Sequence, residues 1–368
     1  MKRLSHFILY LLMGLLAMAQ DSVLTVEQHL EDYDLAVKYI EDNYSGFPEK
    51  VTPVTREEYN AMKADLRRQV QQAGRAGCDA AAQYMAWFND GHLMAHIFFK
   101  DDQGNWINLT DEYNPKRQPI HYESQMEYSP KAVACKVTDK TFLIRFPSCD
   151  GNPNMKWIKK SVKLFKKSGC ENLILDIRGN TGGSDMNWEP YLFMLADHNG
   201  WEAGSEFRNT PQNIAYLQQH GWPVARALLR EAALHPDAEF LLGAAMMKRY
   251  RVRRPYDDVK RAAVIIDNRV ASSGEGLLQC LRAYSDRAKF YGRDNTSGCL
   301  DHANVATIRF KNCGRTFQMP MSRRTGLPWT GIDDTGIAPD VRIPLPLPAR
   351  LTDNIDEWVI WVAEQLEK

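Results

Sequence analysis

The stretch from Ala262 to Gln279, AAVIIDNRVASSGEGLLQ, decides the fold class because a buried strand turns directly into a helix within it. The apolar, β-branched start is typical of a central strand, and Gly274 to Tyr284 has the periodicity of an amphipathic helix. Ser272 stands at the junction, where the free backbone amides of a helix N-terminus face any negative charge on its oxygen. The junction is therefore suited to a serine nucleophile.

The same residues have a purely structural interpretation. Ser272 and Glu275 match the S-x-x-E capping box, in which the two side chains satisfy free amides at a helix start without any chemistry. Ser273 and Ser184 are further candidate nucleophiles. By itself, this stretch is compatible with Ser272 as a helix cap and with Ser272 as a nucleophile.

A second predicted strand also ends in unusual residues, Leu173-Ile-Leu-Asp-Ile-Arg-Gly-Asn-Thr-Gly-Gly183. The carboxyl ends of parallel strands line the ligand crevice of an α/β sheet, so this turn and the Ser272 turn are expected to open onto the same place. The amides of Gly182, Gly183 and Ser273 could then form an oxyanion hole. The alternative is a tight turn in which Asp176 and Arg178 pair for structure.

The arrangement of patterns along the chain predicts an α/β fold with a helical N-terminal region. From Met155 to Ala196 helix and strand alternate, which is typical of a largely parallel sheet built from βαβ units. Residues 200 to 255 interrupt that alternation and are interpreted as an insertion or lid. Helices are predicted at Val26 to Asn43, Thr55 to Gln72, Asp79 to Phe88, Met155 to Lys167, Met186 to Ala196 and Asp353 to Leu366, and strands at Met94 to Phe99, Ile120 to Tyr122, Val133 to Val137, Phe142 to Phe146, Asn172 to Ile177, Val305 to Phe310, Thr316 to Met321 and around Val341 to Ile343. The four strands between Met94 and Phe146 are expected to form one antiparallel or mixed sheet.

Charge and cysteine content exclude several classes of protein. The 46 basic and 46 acidic residues balance, which removes the electrostatic argument for nucleic acid or an anionic membrane as the main partner. The seven cysteines show no C-x-x-C spacing, so the sequence does not predict a zinc site. A bridge between Cys299 and Cys313, which flank a predicted hairpin, stays open in an oxidising compartment.

The first residues have the layout of a secretory signal peptide. Met-Lys-Arg precedes the apolar stretch Phe7 to Leu16, and Ala17-Met18-Ala19 resembles a cleavage site, so a mature chain beginning at Gln20 is expected. No later stretch is long and apolar enough to span a bilayer. The sequence therefore predicts an exported protein, periplasmic or extracellular, without a membrane span after processing.

Four motifs in fixed order resemble those of the C-terminal processing and tricorn-type serine peptidases, the tail-specific protease family. They are Asn89-Asp-Gly-His92, the D-x-R-x-N-x-G-G turn that begins at Asp176, Ala271-Ser-x-x-Glu275 and Gly336-Ile-Ala-Pro-Asp340; the segment Tyr291 to Gly298 also resembles the family's glycine-threonine-glycine segment. The resemblance implies a Clp-protease/crotonase-like α/β core, here without a PDZ module. It divides the chain into a signal peptide 1–19, a helical subdomain 20–93, a core 94–350 with the insertion at about 200–255, and a C-terminal helix 351–368.

The resemblance also implies roles for individual residues. Ser272 matches the family nucleophile and the paired glycines match the oxyanion turn. The lysine base of the processing proteases is replaced by Cys299, so a histidine base as in the tricorn-type members is the better match. His92 fits that role, because an imidazole can accept the serine proton and return it to a leaving amine. His96 competes with His92, but it lies within a strand pattern and suits a structural role.

An acceptor that fixes the histidine tautomer completes the expected set. Asp333 aligns with the acidic residue of the tricorn-type tetrad, although an Asx turn is the alternative and Asp334 could substitute. The tetrad's additional serine is replaced by Gly91. Glu275 is interpreted as structural.

The sequence thus predicts a serine endopeptidase that acts on peptides or unfolded proteins, with no metal or organic cofactor. The alternatives are a non-catalytic ligand-binding protein on the same scaffold, such as the related retinoid-binding modules, and a hydrolase of non-peptide esters.

Overall fold

The structure, a computed structural model, describes residues 24–100, 104, 106–114, 130–150, 155–242, 251–252, 258–348 and 355–368. The expected signal peptide and the expected strand Ile120 to Tyr122 lie outside these residues. Within them, no helix is both long and apolar enough to cross a membrane.

Helices form the N-terminal region and the layers around the sheets. They are α1 Val26–Asn43, α2 Phe47–Lys50, α3 Arg56–Ala73, α4 Gly77–Trp87, α5 Leu109–Glu112, α6 Met155–Ser168, α7 Glu189–Leu195, α8 Pro211–Gln219, α9 Ala225–Leu234, α10 Ser273–Tyr284 and α11 Glu357–Glu367. The three long N-terminal helices confirm the predicted helical region. The helix expected at Met186 to Ala196 is divided into a 3₁₀ turn, Asp185–Asn187, and α7, because Pro190 suits a helix start and cannot donate within a helix.

The strands are β1 Met94–Ala95, β2 Phe98–Lys100, β3 Trp106–Asn108, β4 Val133–Lys136, β5 Thr141–Arg145, β6 Asn172–Asp176, β7 Ser205–Arg208, β8 Phe240–Leu241, β9 Arg261–Ile265, β10 Ala288–Gly292, β11 His302–Arg309, β12 Thr316–Arg324 and β13 Val341–Arg342. Six of them form the central sheet in the order β13-β10-β9-β6-β5-β4. All its pairs are parallel except the edge pair of β4 and β5. The predicted α/β fold class is confirmed.

The central sheet is covered by helices on both faces. Strands β5 and β6 are buried at every residue, as expected for strands between two helical layers. One face packs against α6, α7 and α10, and the other packs against α11 through Trp358. The side chain of Asp356 accepts the amides of Trp358 and Val359 and so caps α11.

A separate hydrophobic core joins the N-terminal helices to a five-stranded sheet. That sheet runs β1-β12-β7-β8, with β11 also paired to β12. The expectation that the strands between Met94 and Phe146 form one sheet is wrong: β1 joins this sheet, β2 and β3 pair only with each other, and β4 and β5 join the central sheet. The segment interpreted as an insertion contributes β7 and β8 to the same five-stranded sheet and α8 and α9 to its core.

Candidate active site

Ser272 follows β9 and immediately precedes α10, as the sequence predicts. Its backbone has φ 51° and ψ −122°, a conformation that residues with a side chain rarely adopt and that costs of the order of 1–3 kcal/mol. Such a strained turn between a strand and a helix presents a serine hydroxyl outward at the edge of the sheet. Ser272 lines a cleft of about 710 Å³.

The hydroxyl of Ser272 lies beside His92. Oγ of Ser272 is 2.9 Å from Nε2 of His92, although 180 residues separate the two along the chain. His92 follows α4 in a turn, and its amide donates to Oδ1 of Asp90 at 2.8 Å. The N-terminal region and the central sheet therefore each contribute one half of a serine–histidine pair.

The thiol of Cys299 lies against the imidazole. Its Sγ is 3.4 Å from Nδ1 of His92 and 4.0 Å from Nε2. The two distances differ too little for the sulfur to lie in line with an Nδ1–H bond, so this contact does not fix which nitrogen carries the proton. Cys299 is buried and, unlike Ser272, is not part of the cleft lining.

Glu275 ties Ser272 and Cys299 together. Its Oε2 accepts the amides of Cys299 at 2.8 Å and of Ser272 at 3.2 Å, and its Oε1 accepts the Thr296 hydroxyl and the Gly298 amide. Burial raises the pKa of Glu275 to about 7, against the effect of these donors. The capping box around Ser272 is formed, so the cap and the pair with His92 involve the same serine.

The glycine turn after β6 lies directly against Ser272, as the sequence predicts. A Cβ placed on Gly182 would come within 2.7 Å of the Ser272 Cβ, and one on Gly183 within 2.2 Å of the Cys149 carbonyl oxygen. Both glycines have positive φ, 109° and 126°. Only residues without a side chain fit here, and that is what brings the turn so close.

The three amides expected to form the oxyanion hole differ in whether they already have a hydrogen-bond acceptor. The Gly182 amide donates to Oδ1 of Asn180 at 3.0 Å. Gly183 forms a parallel bridge with Cys149 in which the Gly182 carbonyl and the Ser184 amide make the bonds, so the Gly183 amide points away from Cys149. The Ser273 amide is at the first position of α10, where no carbonyl of the helix can accept it.

Asp333 does not lie against His92. Its Oδ1 accepts the amides of Leu300 and Asp301 at 2.9 and 3.0 Å, and its Oδ2 is 3.5 Å from Nδ1 of His302. The expectation that Asp333 orients His92 is therefore corrected: the structure places this carboxylate on a different histidine. The neighbouring Asp334 instead accepts the side-chain amide of Asn89, three residues before His92.

His302, at the start of β11, is surrounded by carboxylates. Its Nδ1 is 3.6 Å from Oδ2 of Asp90 as well as close to Asp333, and its Nε2 is 3.4 Å from Oε2 of Glu49. Burial alone would lower the pKa of His302, but the hydrogen bonds and charges of Asp333, Glu49 and Asp90 raise it to about 9. The same contacts with His302, together with backbone amides, hold the pKa of Asp333 below its usual value despite burial.

This group is also the part of the described site that comes closest to a metal-binding set. The ligand atoms of Asp90, His302 and Asp333 lie within 4.8 Å of one another. The raised pKa of His302 favours the protonated ring, and a metal would have to displace that proton before Nδ1 could bind it. The arrangement is therefore an ion-pair cluster around a cationic histidine.

The other candidate residues have structural contacts. His96 is bonded to Thr316 and Gln318 through its two ring nitrogens, which agrees with its predicted structural role. The Ser273 hydroxyl donates to Asp185 at 2.6 Å and accepts from Trp188 at 2.9 Å.

The charged residues that precede the glycine turn also have a structural role. Asp176 and Arg178 form a buried quartet with Arg145 and Asp356, with contacts of 2.6–3.0 Å. The structural interpretation of this pair is correct, and the same turn still delivers the glycines to Ser272.

The bridge between Cys299 and Cys313 is not present. The cysteines in the described residues are free thiols. Cys299 precedes the eight residues of β11 and Cys313 follows them, which separates the two by more than about 25 Å of extended strand. A disulfide needs Cα atoms within about 7 Å, so the hairpin keeps this pair apart.

Sequence reasoning missed His302 and Asp90 as neighbours of the site. Asp90 lies within the quoted Asn89 to His92 motif, so its position offered a signal, whereas His302 has none in its local sequence. Cys299 was noticed only as a replacement for lysine, not as a contact of His92.

The site combines a strained serine at a helix start, a histidine within hydrogen-bond distance and neighbouring glycine amides. Serine hydrolases have this arrangement. The comparisons with known proteins make the class specific. The chain belongs to peptidase family S41, whose model matches residues 140–343, more than half of the sequence. Membership of this family supports a serine peptidase.

Solved structures agree with the fold. Mature CPAF is similar with a TM-score of 0.59 at 13% identity, over 93% of this chain and 96% of that one. A putative peptidase from Parabacteroides merdae ATCC 43184 is similar with a TM-score of 0.53 at 14% identity, over 91% and 95% of the two chains. No curated protein matches the sequence. At such identities the likeness concerns the fold alone.

Proposed function

We propose that this protein hydrolyses peptide bonds through an acyl-enzyme in which Ser272 is the nucleophile and His92 the general base. The observation that carries the proposal is the 2.9 Å separation of Ser272 Oγ and His92 Nε2 at the mouth of a cleft. His92 accepts the serine proton as Oγ attacks the peptide carbonyl, and then donates it to the leaving amine.

The developing oxyanion would be held by the amides of Gly183 and Ser273. Both have no acceptor among the described residues, and both residues line the cleft beside Ser272. The Gly182 amide, engaged by Asn180, takes a supporting part: it holds the turn in place. Two preorganised amides, one in the glycine turn and one at a helix start, stabilise negative charge without having to reorient during the reaction.

Asp90 and Cys299, rather than Asp333, hold His92 in place. Asp90 accepts the backbone amide of His92, and the Cys299 thiol packs against its ring. Asp333 and Asp90 share the charge of His302 on the other side of the same turn. His302 therefore positions the loop that carries His92, without contact to the reacting atoms.

The proposal that the protein is exported rests on three N-terminal features: Met-Lys-Arg, the apolar stretch after it and Ala-Met-Ala. If the chain is processed as expected, the protein recovered from outside the cytoplasm begins at Gln20, which intact-mass measurement detects. A full-length chain in the cytoplasmic fraction would contradict export and would leave the peptidase proposal untouched.

The nucleophile is tested with a fluorophosphonate probe that labels activated serines. Wild-type protein should be labelled, Ser272→Ala should not, and Ser184→Ala, which lacks a second serine of the same cleft, should be labelled like the wild type. Labelling that persists in Ser272→Ala and disappears in Ser184→Ala would transfer the role to Ser184. A wild-type protein that neither labels nor cleaves a diverse peptide mixture, yet binds an apolar ligand, would establish the binding protein instead.

A further inference from the structure

The cleft beside Ser272 contains an arginine that no described residue neutralises. The floor of the cleft is formed by β11 and β12 of the five-stranded sheet, with Ser205 of β7 at its edge. Ser272 and His92 line one part of it and Arg324, the last residue of β12, lines another. Arg324 and the nucleophile therefore share one solvent space.

Arg324 is buried without a counter-charge. It is only 8% exposed, and its Nε has no hydrogen-bond partner. Among the residues that the structure describes, its side chain forms neither a salt bridge nor a hydrogen bond. An arginine cannot lose its proton to avoid this situation, and a desolvated, unpaired charge is costly to a fold.

The two arginines buried most completely among the described residues are paired. Arg145 and Arg178, each 1% exposed, share the carboxylates of Asp176 and Asp356. Arg323, next to Arg324 in sequence, forms ion pairs with Glu49 and Glu206 on the other face of β12. The unpaired state of Arg324 is thus an exception on its own strand.

The backbone of Arg324 is held in place. Its amide donates to the Asp301 carbonyl at 2.8 Å, and its register partner across the sheet is Ser205. A rigid origin for the side chain restricts where the guanidinium can go, which favours recognition of a ligand at a defined distance from Ser272.

Three acidic residues line the same cleft as Arg324: Asp150, Asp185 and Glu202. Asp185 accepts the Ser273 hydroxyl at 2.6 Å, and Glu202 lies 2.8 Å from the Cys280 thiol. None of the three forms an ion pair with Arg324. Among the described residues, therefore, no carboxylate is paired with the guanidinium.

We propose that Arg324 is a substrate-binding residue that receives a carboxylate of the peptide being cleaved. A carboxylate matches the planar fork of a guanidinium with two parallel hydrogen bonds, and burial strengthens that contact. The carboxylate belongs either to an aspartate or glutamate near the scissile bond or to the end of the peptide chain. This inference rests on the proposed peptidase function and names its substrate class.

The test begins with cleavage of a diverse peptide mixture by the purified protein, read by mass spectrometry. The best-cleaved peptide is then remade with each acidic residue changed to its amide and, separately, with its C-terminal carboxylate amidated. In the wild type one of these changes should lower kcat/KM about tenfold or more, the size expected for loss of a charge-assisted pair. The position of that change distinguishes a side chain from a chain end.

Variants assign the preference to Arg324. In Arg324→Gln the preference should shrink to within about twofold, and in Arg324→Lys it should be intermediate, because the charge remains and the fork is lost. Arg309→Gln, which removes an exposed arginine from the neighbouring β11, should keep the wild-type preference. Fluorophosphonate labelling of Ser272 shows that each variant has folded; should Arg324→Gln fail to fold, Arg324→Lys decides.

Binding provides a readout that does not depend on catalysis. Fluorescence anisotropy of the same peptide pairs with Ser272→Ala should show the preference, and Ser272→Ala with Arg324→Gln should not. An equal response to carboxylate and amide in both assays, or a preference that survives in Arg324→Gln, overturns the inference. If the wild type cleaves no peptide, labelled peptides that each carry one carboxylate or its amide replace these pairs. A carboxylate preference that requires Arg324 would then overturn the peptidase and keep the subsite.

Discussion

Two buried regions of this protein are each built around a histidine, and their surroundings differ. The ring of His92 lies between the Ser272 hydroxyl and the Cys299 thiol. The ring of His302 lies among the carboxylates of Glu49, Asp90 and Asp333. A base must be able to gain and lose a proton during turnover, whereas an ion-pair centre must keep it. The carboxylates favour a lasting charge on His302, and the Ser272 contact is what supports the proposed proton transfer by His92.

Replacement of His92 should have the largest effect on activity and tests the difference between the two histidines most directly. His92→Gln should lower hydrolysis about 100- to 10,000-fold, the range attributed to general-base catalysis, and should abolish fluorophosphonate labelling. Chemical denaturation should change less than in a variant of His302, whose ring pairs with three carboxylates. His96→Gln, which alters a histidine bonded only to Thr316 and Gln318 in its side-chain contacts, is the control. Full labelling of His92→Gln would leave Ser272 without its assigned base.

Replacement of His302 should have the opposite profile. His302→Gln leaves three buried or partly buried carboxylates without their cation, which should cost about 3 kcal/mol or more in the free energy of unfolding. Urea denaturation measures this loss. His198→Gln is a matched control, since His198 also lies between two carboxylates, Asp197 and Asp286, but is exposed, where such pairs are worth about 0–1 kcal/mol. Equal stability losses in the two variants would refute the ion-pair centre.

The charge of His302 also predicts a pH dependence. Its pKa is raised from 6.5 to about 9, so the folded state holds the proton more tightly than the unfolded state. The stabilisation is complete below about pH 6.5 and is lost as the pH rises to about 9, by up to about 3 kcal/mol from the size of the shift. Tyr44, Glu49, Asp90 and Asp333 are the titratable groups that face the ring. Unfolding free energies of the wild type minus those of His302→Gln should follow this curve; a flat difference would show a neutral ring.

Asp333→Asn tests whether the carboxylate of Asp333 acts on His302 or on His92. An asparagine oxygen can still accept the Leu300 and Asp301 amides, so the loop should keep its shape while His302 loses one of its charges. We expect a stability loss of about 1–3 kcal/mol and activity within about tenfold of the wild type. A fall of about 10,000-fold, the cost of removing an orienting aspartate from a serine triad, would restore Asp333 as the partner of His92.

Replacement of Cys299 should have the smallest effect. Cys299→Ala removes the thiol that packs against the His92 ring and should lower kcat about two- to tenfold with little change in KM, the size of one neutral hydrogen bond. Cys299→Ser should recover most of the rate, because it restores a polar group of similar size at the same place. Complete inactivity of both folded variants, judged by their denaturation curves, would mean that the sulfur itself reacts.

The sequence pointed to Ser272 and His92 as a candidate pair because each lies in a local pattern: Ser272 between a strand and a helix, His92 in a four-residue motif. The glycine turn was predictable for the same reason, since only glycines fit the approach to Ser272. The partner of Asp333 was not predictable, because the choice between His92 and His302 depends on how the N-terminal helices dock on the five-stranded sheet. The unpaired state of Arg324 is likewise a property of packing, as its neighbour Arg323 is fully paired.

The distribution of the site along the chain has a consequence for synthesis. His92 emerges from the ribosome long before Ser272, and the residues that tie Ser272 in place, Thr296, Gly298 and Cys299, follow later still through their contacts with Glu275. In the proposed enzyme, a nascent chain that stops short of Cys299 lacks this arrangement. The part of the site made first therefore stays inactive until the part made later has been added.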